Sequence, residues 1–294
     1  MNRITGQLLN AVFTFFSILP LPVLYFFSDL FFVVLFYGIH YRKKVVITNL
    51  KKAFPDKDDR QIKKIAKEFY RHFCDLIIET LKFKSIGKAE IQKRLQVKNA
   101  ALLNQYFDQN RSIILYMGHY GNWEWLPALP LCIQHKMVTF YKPLSNQYFN
   151  QLIKSVRERF GMVAIESKNA YKALVNFAKN DIYTLTVIIG DQSPGHESSK
   201  HWMEFMNQET AFLIGADRIA KKTNQVLMFP MMKKLKRGYY EVEFIVIEEH
   251  PVEVSSNQMI EHYARELEAA INLDPSMWLW SHRRWKLSKE AIAS

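Results

Sequence analysis

The chain has 294 residues, 49% of them hydrophobic, enough for one large domain with its own core, and no 20–50-residue repeat or Pro/Gly/Ser-rich linker divides it. A formal charge of +12 with 14% aromatics asks for an anionic partner; the apolar N-terminus favours a membrane, and no recognition-helix or RNA-binding signature supports nucleic acid. Two cysteines, Cys74 and Cys132, without ligand spacing exclude a disulfide framework and place both thiols in a core within a reducing compartment.

Residues 7–41 carry one charged side chain, Asp29, and are followed by Arg42, Lys43 and Lys44. Pro20 and Pro22 interrupt the run, because proline removes a backbone donor and clashes inside a helix. The two pieces, about 7–19 and 23–39, are each near or below the roughly 20 residues that cross a hydrocarbon core. The expectation is a kinked span or a helical hairpin within one leaflet, and the cost of Asp29 at mid-bilayer favours the shallower form. A secretory signal fits poorly: the run is too long, lacks a small-residue cleavage site, and is followed rather than preceded by cations. Residues 1–41 are therefore read as a membrane anchor and 42–294 as the folded domain, with the 42–44 cluster facing the cytoplasm and anionic lipid.

The spacing of Ile62, Ile65, Phe69, Phe73, Ile77 and Leu81 predicts an amphipathic helix over 58–83. Beyond it, strand-like runs at 112–117, 137–141, 183–190, 226–232 and 239–247 alternate with helix-like runs at 122–130, 146–160, 168–179, 210–223 and 257–272. That alternation implies an α/β domain with a mostly parallel sheet flanked by helices, and Gly238-Tyr239-Tyr240 suggests one late antiparallel hairpin. In such sheets ligands bind at the carboxyl ends of strands, where His119 follows 112–117 and Asp191 follows 183–190.

His119 and Glu124 lie five positions apart, about 500° on a helix, so they meet only if the histidine sits in a loop and the glutamate in the first helical turn. A carboxylate bonded to one imidazole nitrogen fixes the tautomer and makes the other a better base. The blander reading is a histidine at a strand end with a solvated first-turn glutamate, and the pattern by itself favours it. Trp123 and Trp125 would supply apolar walls. Arg157 and Arg159 lie on a helix whose apolar face is Phe149, Leu152, Ile153, Val156 and Phe160; the helix leaves an anion clamp and a solvated basic face equally open. Asp191 before Ser193-Pro194-Gly195 could cap a turn. His196 and His201 lack the companions of a zinc site. The tryptophans of 278–285 suit either a core or a headgroup layer, and Lys233, Lys234, Lys236 and Arg237 read as a solvated turn.

"GHYGNWE" at 118–124 resembles the HxxxxD/E motif of glycerolipid-type acyltransferases. With "VVITNLKKAFPD" (45–56), "YKPLSN" (141–146), "SVRERFG" (155–161), "DQSPG" (191–195) and "MWLWSHRRWK" (277–286) in order, essentially the whole chain resembles the late acyltransferases of lipid A biosynthesis. The resemblance implies a glycerolipid-acyltransferase-like fold and transfer of a fatty acyl chain from acyl-carrier protein to a hydroxyl of a lipid A precursor. The setting would be the cytoplasmic face of a bacterial inner membrane, with no cofactor or metal. It implies His119 as base, Glu124 as its orienting carboxylate, and Arg157, Asp191 and Lys142 as substrate-binding residues; Trp123, as an apolar wall, would join them at the mouth of an acyl groove. Lys142 stands where the family has arginine, keeping the charge but losing the planar bidentate fork. Two rival readings are another acceptor, such as a lysophospholipid or amino-acid lipid, and a non-catalytic lipid-binding protein.

Overall fold

The computed structural model describes residues 3–195 and 200–289, without the side chains of 3–9. Two apolar helices open the chain, α1 (Arg3–Ile18) and α2 (Leu21–Val33), broken at Leu19-Pro20, where proline begins the second helix. α2 continues as a π-helical turn, Val34–Gly38, so that Leu21–Gly38 is apolar and long enough to cross a membrane by length and composition, with mean hydropathy 1.8. Phe16 of α1 meets Phe27 of α2 edge to face at 5.9 Å. Phe15, Phe26, Leu30, Phe31, Val34 and Tyr37 point outward, while Leu21 and Leu24 pack on Ile78.

α3 (Lys43–Ala53) precedes α4 (Asp59–Phe83), which begins with a capping box between Asp58 and Gln61. α4 matches the expected amphipathic helix and buries Ile62, Phe69, Tyr70 and Phe83. Its C-terminal half also buries Asp75 and Glu79, which the periodicity did not flag. Asp75 accepts from Ser28 and from Arg237, and Arg237 also reaches Asp29 at 2.8 Å. Arg237 thus ties α2 to the late hairpin instead of lying in a solvated turn, and Asp29 carries a neutralising partner.

α5 (Lys88–Arg94), β1 (Leu95–Val97) and α6 (Ala100–Asp108) lead into the sheet strands β2 (Ile113–Met117) and β3 (Lys136–Tyr141). Between them, the expected helix at 122–130 is a 3-10 helix, Trp123–Leu131, because Pro127 and Pro130 cannot donate α-helical bonds. α7 (Gln147–Arg157), β4 (Val163–Glu166), α8 (Ala170–Lys179) and β5 (Thr184–Ile189) complete this half.

The expected helix at 210–223 requires correction. Its start belongs to a hairpin of β6 (Lys200–Phe205) and β7 (Gln208–Leu213), turned at Met206 and Asn207, both with positive φ. Only α9 (Ala216–Thr223) is helical. β8 (Val226–Lys236), β9 (Tyr239–Glu248) and α10 (Ser256–Leu273) finish the domain.

The main sheet has seven strands in the order β1-β9-β8-β2-β5-β3-β4, parallel throughout except for the β8–β9 hairpin. β2 lies in the middle, all five residues buried, as a parallel strand covered on both faces requires.

Candidate active site

β2 and β5 pair in parallel register, Met117 opposite Ile189. Two residues beyond each, His119 and Asp191 therefore leave the sheet side by side. Gly118 and Gly190 make the junction: a Cβ at Gly118 would stand 2.8 Å from Leu267 and 3.2 Å from Asp191 Oδ2, and Gly190 N donates to Met117 O at 2.9 Å.

Asp191, 3% exposed, is held from three directions. His119 Nδ1 lies 2.6 Å from its Oδ1, and its Oδ2 accepts from the His119 backbone N–H and from Trp278 Nε1, both at 2.8 Å. Burial opposes ionisation of this carboxyl, but the charge and hydrogen bonds of His119 and the bond from Trp278 outweigh it and lower the group to about 2. Burial likewise opposes the imidazolium. The Asp191 charge and hydrogen bond, with the Glu124 charge, prevail, and His119 is raised above the ordinary imidazole value. An ionised Asp191 fixes the proton on Nδ1. Nε2 is then the free base, with Gln192 Nε2 3.4 Å away.

The hydrogen bond expected between Glu124 and the imidazole is not made. Glu124 sits in the first turn after Asn122, as expected, but faces Arg157, with Arg157 Nη2 at 2.9 Å and Nε at 3.4 Å. The reason is topological: the adjacent strand end delivers Asp191 to Nδ1 before the loop can turn Glu124 back. Trp123 lies edge-on to the His119 ring at 5.1 Å. Lys142, exposed after β3, does not reach the imidazole; it lines a side crevice of about 290 Å³ with Lys154 and Arg157. Arg157 also lines the main groove, so the two spaces share a wall.

That groove, of about 370 Å³, is lined by Met117, Gly190 and Trp123, the last in ring contact with His119, and by Leu126, Met137, Met162, Val187 and Ile219. Trp123, Glu124 and Arg157 thus share it with the carboxyl ends of β2 and β5. Sequence reasoning missed Trp278 as the third support of Asp191, and Gln192 beside Nε2. Trp278 and Trp280 are 2% and 0% exposed, so these rings form core rather than a headgroup layer. His201 pairs with Glu261 at 3.0 Å, and His196 lies outside the described residues.

The loop carrying His119 has little freedom. Tyr120 bridges Trp278, Leu279 N donates to His119 O, and Gly121 N donates to Met277 O. Gly121 has φ +68°, and a Cβ there would meet Met232 Sδ at 2.5 Å. Gly121→Ala is expected to destabilise the protein by about 1–3 kcal/mol, seen as a lower midpoint in thermal unfolding, because both the backbone and the space favour glycine.

An imidazole ordered by a buried carboxylate thus stands at the carboxyl ends of a mostly parallel sheet, near an apolar groove, where α/β enzymes bind their ligands. The sequence model of the bacterial lipid A biosynthesis acyltransferases matches residues 2–287. The chain belongs to that family and is an acyltransferase of lipid A biosynthesis. It is 22% identical to the lipid A biosynthesis palmitoleoyltransferase of Escherichia coli (strain K12) over 269 residues, 91% of this chain and 86% of that protein. Similarity to lipid A biosynthesis acyltransferase 2 of Shigella flexneri is 22% identity over 256 residues, 84% and 78% of the two chains. A Haemophilus influenzae lipid A biosynthesis acyltransferase is 23% identical over 242 residues, 79% and 72% of the two chains.

Proposed function

We propose that the enzyme moves a fatty acyl chain from an acyl-carrier-protein thioester to a hydroxyl of a lipid A precursor, with His119 as general base. The observation that carries this reading is the His119–Asp191 pair beside an apolar groove. His119 Nε2 takes the proton of the acceptor hydroxyl as its oxygen attacks the thioester carbonyl. The tetrahedral oxyanion collapses, the carbon–sulfur bond breaks, and the imidazolium returns its proton to the departing thiolate. Asp191 holds the tautomer and stabilises the imidazolium. Glu124 acts one step removed: its charge favours the imidazolium, and its carboxylate holds Arg157 at the groove wall. The groove takes the acyl chain. Lys142, Lys154 and Arg157 give the side crevice a cationic lining suited to a phosphate of the acceptor or of the carrier's prosthetic arm. The outward phenylalanines of α1 and α2, with Arg42, Lys43 and Lys44 following, seat the domain on the cytoplasmic face of the inner membrane.

The decisive experiment is mass spectrometry of membrane lipids from a deletion strain carrying the wild-type chain or His119→Ala. One glycolipid is expected to gain a single acyl chain with the wild type only. A gain in a glycerophospholipid or amino-acid lipid would replace the acceptor, and equal gain with both chains would remove His119 as base.

A further inference from the structure

Glu79 is a fully buried carboxylate that the mechanism leaves unused. It sits one turn from the C-terminal end of α4 at 0% exposure and receives three donors from three different parts of the fold. Tyr25 Oη of α2 donates to Oε1 at 2.8 Å. Asn122 Nδ2 donates to Oε2 at 2.6 Å, and Tyr240 Oη of β9 donates to the same oxygen at 2.8 Å. The Glu79 backbone carbonyl accepts a fourth bond, from Trp125 Nε1 at 3.0 Å. Asn122 and Trp125 flank Trp123 and Glu124, the residues that wall the groove beside His119.

Seven residues earlier, on the same face of α4, His72 Nε2 meets Gly121 O at 3.2 Å. Burial, reinforced by Lys234, lowers His72 to about 3, so its ring is neutral and Nε2 donates to that carbonyl. α4 therefore grips the 121–125 segment at two points two turns apart. Of these two residues only Glu79 also reaches across to α2, whose outward face carries the exposed Phe26 and Leu30; Asp75 meets α2 separately through Ser28 and does not touch the 121–125 segment.

We infer that Glu79 is a positioning residue that ties the loop carrying Asn122, Trp123 and Glu124 to the apolar helix α2, so that the seat of α2 sets the geometry of the acyl-transfer site. The inference rests on the His119 reading above. A carboxylate is the right hub because it only accepts, and all three side chains meeting it can donate. Burial raises the Glu79 carboxyl; the Tyr25 and Tyr240 hydrogen bonds oppose it, Asp75 adds to it, and the group stands at about 7, so the acceptor-only hub is the form that prevails above that pH. Glutamine keeps the size but replaces one acceptor oxygen with an NH₂ group: toward Asn122 it faces a donor, and toward Tyr25 the bond persists only with the phenol turned to accept, which leaves the phenolic proton without this partner. Tyr25 and Asn122 use different oxygens of Glu79, and among their described hydrogen bonds there is none between the two. Functional coupling between them would run through the carboxylate.

The test uses the full chain in vesicles of phosphatidylethanolamine and phosphatidylglycerol, with a long-chain acyl-carrier-protein thioester and membrane lipid extract. His119→Ala is run alongside, and its inactivity establishes the site independently. Glu79→Gln is expected to lower kcat about 10- to 100-fold at nearly unchanged KM, with vesicle co-sedimentation unaltered, as a displacement of the groove wall predicts. Tyr25→Phe is expected to lower kcat about tenfold, the scale of one charge-assisted hydrogen bond. The Tyr25→Phe/Asn122→Ala double variant should be no slower than Asn122→Ala alone, since the link is already cut. If Glu79→Gln does not fold, this cycle decides. Wild-type kcat in folded Glu79→Gln, no effect of Tyr25→Phe, or effects of Tyr25 and Asn122 that multiply would each overturn the inference while leaving His119 as base.

Discussion

Replacing His119 with alanine is expected to lower acyl transfer by about 10²–10⁴-fold, the contribution of a positioned general base. The loss should fall on kcat more than on KM, because His119 lines neither the groove nor the Lys142–Arg157 crevice, the spaces proposed to take donor and acceptor. The fold should survive. The His119 backbone contacts, its N–H to Asp191 and its carbonyl to Leu279, do not depend on the ring. Steady-state transfer with a carrier-protein thioester, together with thermal unfolding, checks both parts; a folded variant with full activity would falsify the base assignment.

Asp191→Asn is expected to cost at least about a hundredfold, for a different reason. Oδ2 accepts two N–H donors, from the His119 backbone and Trp278, so the amide oxygen of asparagine takes that side. The amide NH₂ then faces Nδ1 and donates to it, forcing the proton onto Nε2, where the base must be free. The pH profile carries a second signature. His119 must be neutral to act, so activity rises with pH through its folded pKa, which lies above the ordinary imidazole value. Losing the Asp191 charge leaves burial as the main influence and moves the acidic limb of kcat/KM to lower pH.

Stability follows the same pair. The raised His119 contributes stability fully present below its unfolded pKa and lost as pH rises through its folded one. The depressed Asp191 contributes stability present above the ordinary carboxylate range and lost as pH falls toward about 2. Between those limits the wild type should exceed Asp191→Asn in thermal midpoint, and the gap should narrow at either end.

Strand and helix periodicity located most of the sheet. β2, β3, β5, β8 and β9 lie within a residue or a few of where alternating apolar runs placed them, because buried strands and amphipathic helices write their neighbours into residue spacing. The short edge strands β1 and β4 left no such signal. The β6–β7 hairpin overlapped a stretch whose later half is helical, and only pairing across Met206-Asn207 separates the two. Phe26, Phe31 and their neighbours announced an apolar N-terminus, but not that Asp29 would find Arg237 across 208 positions.

The sequence by itself determined that a histidine and an aspartate each follow a buried strand, that Glu124 lies in the first turn after the histidine, and that Arg157 lies on an amphipathic helix. These are local facts, fixed by spacing within a few residues. Tertiary structure alone decided which carboxylate the imidazole meets. β2 and β5 are separated by some 70 residues of chain, yet their parallel register sets Met117 against Ile189 and so brings Asp191, not Glu124, to Nδ1. The same holds for Glu79. Periodicity places it on α4, but its three donors come from α2, the site loop and β9, and only the packed fold makes that carboxylate a hub.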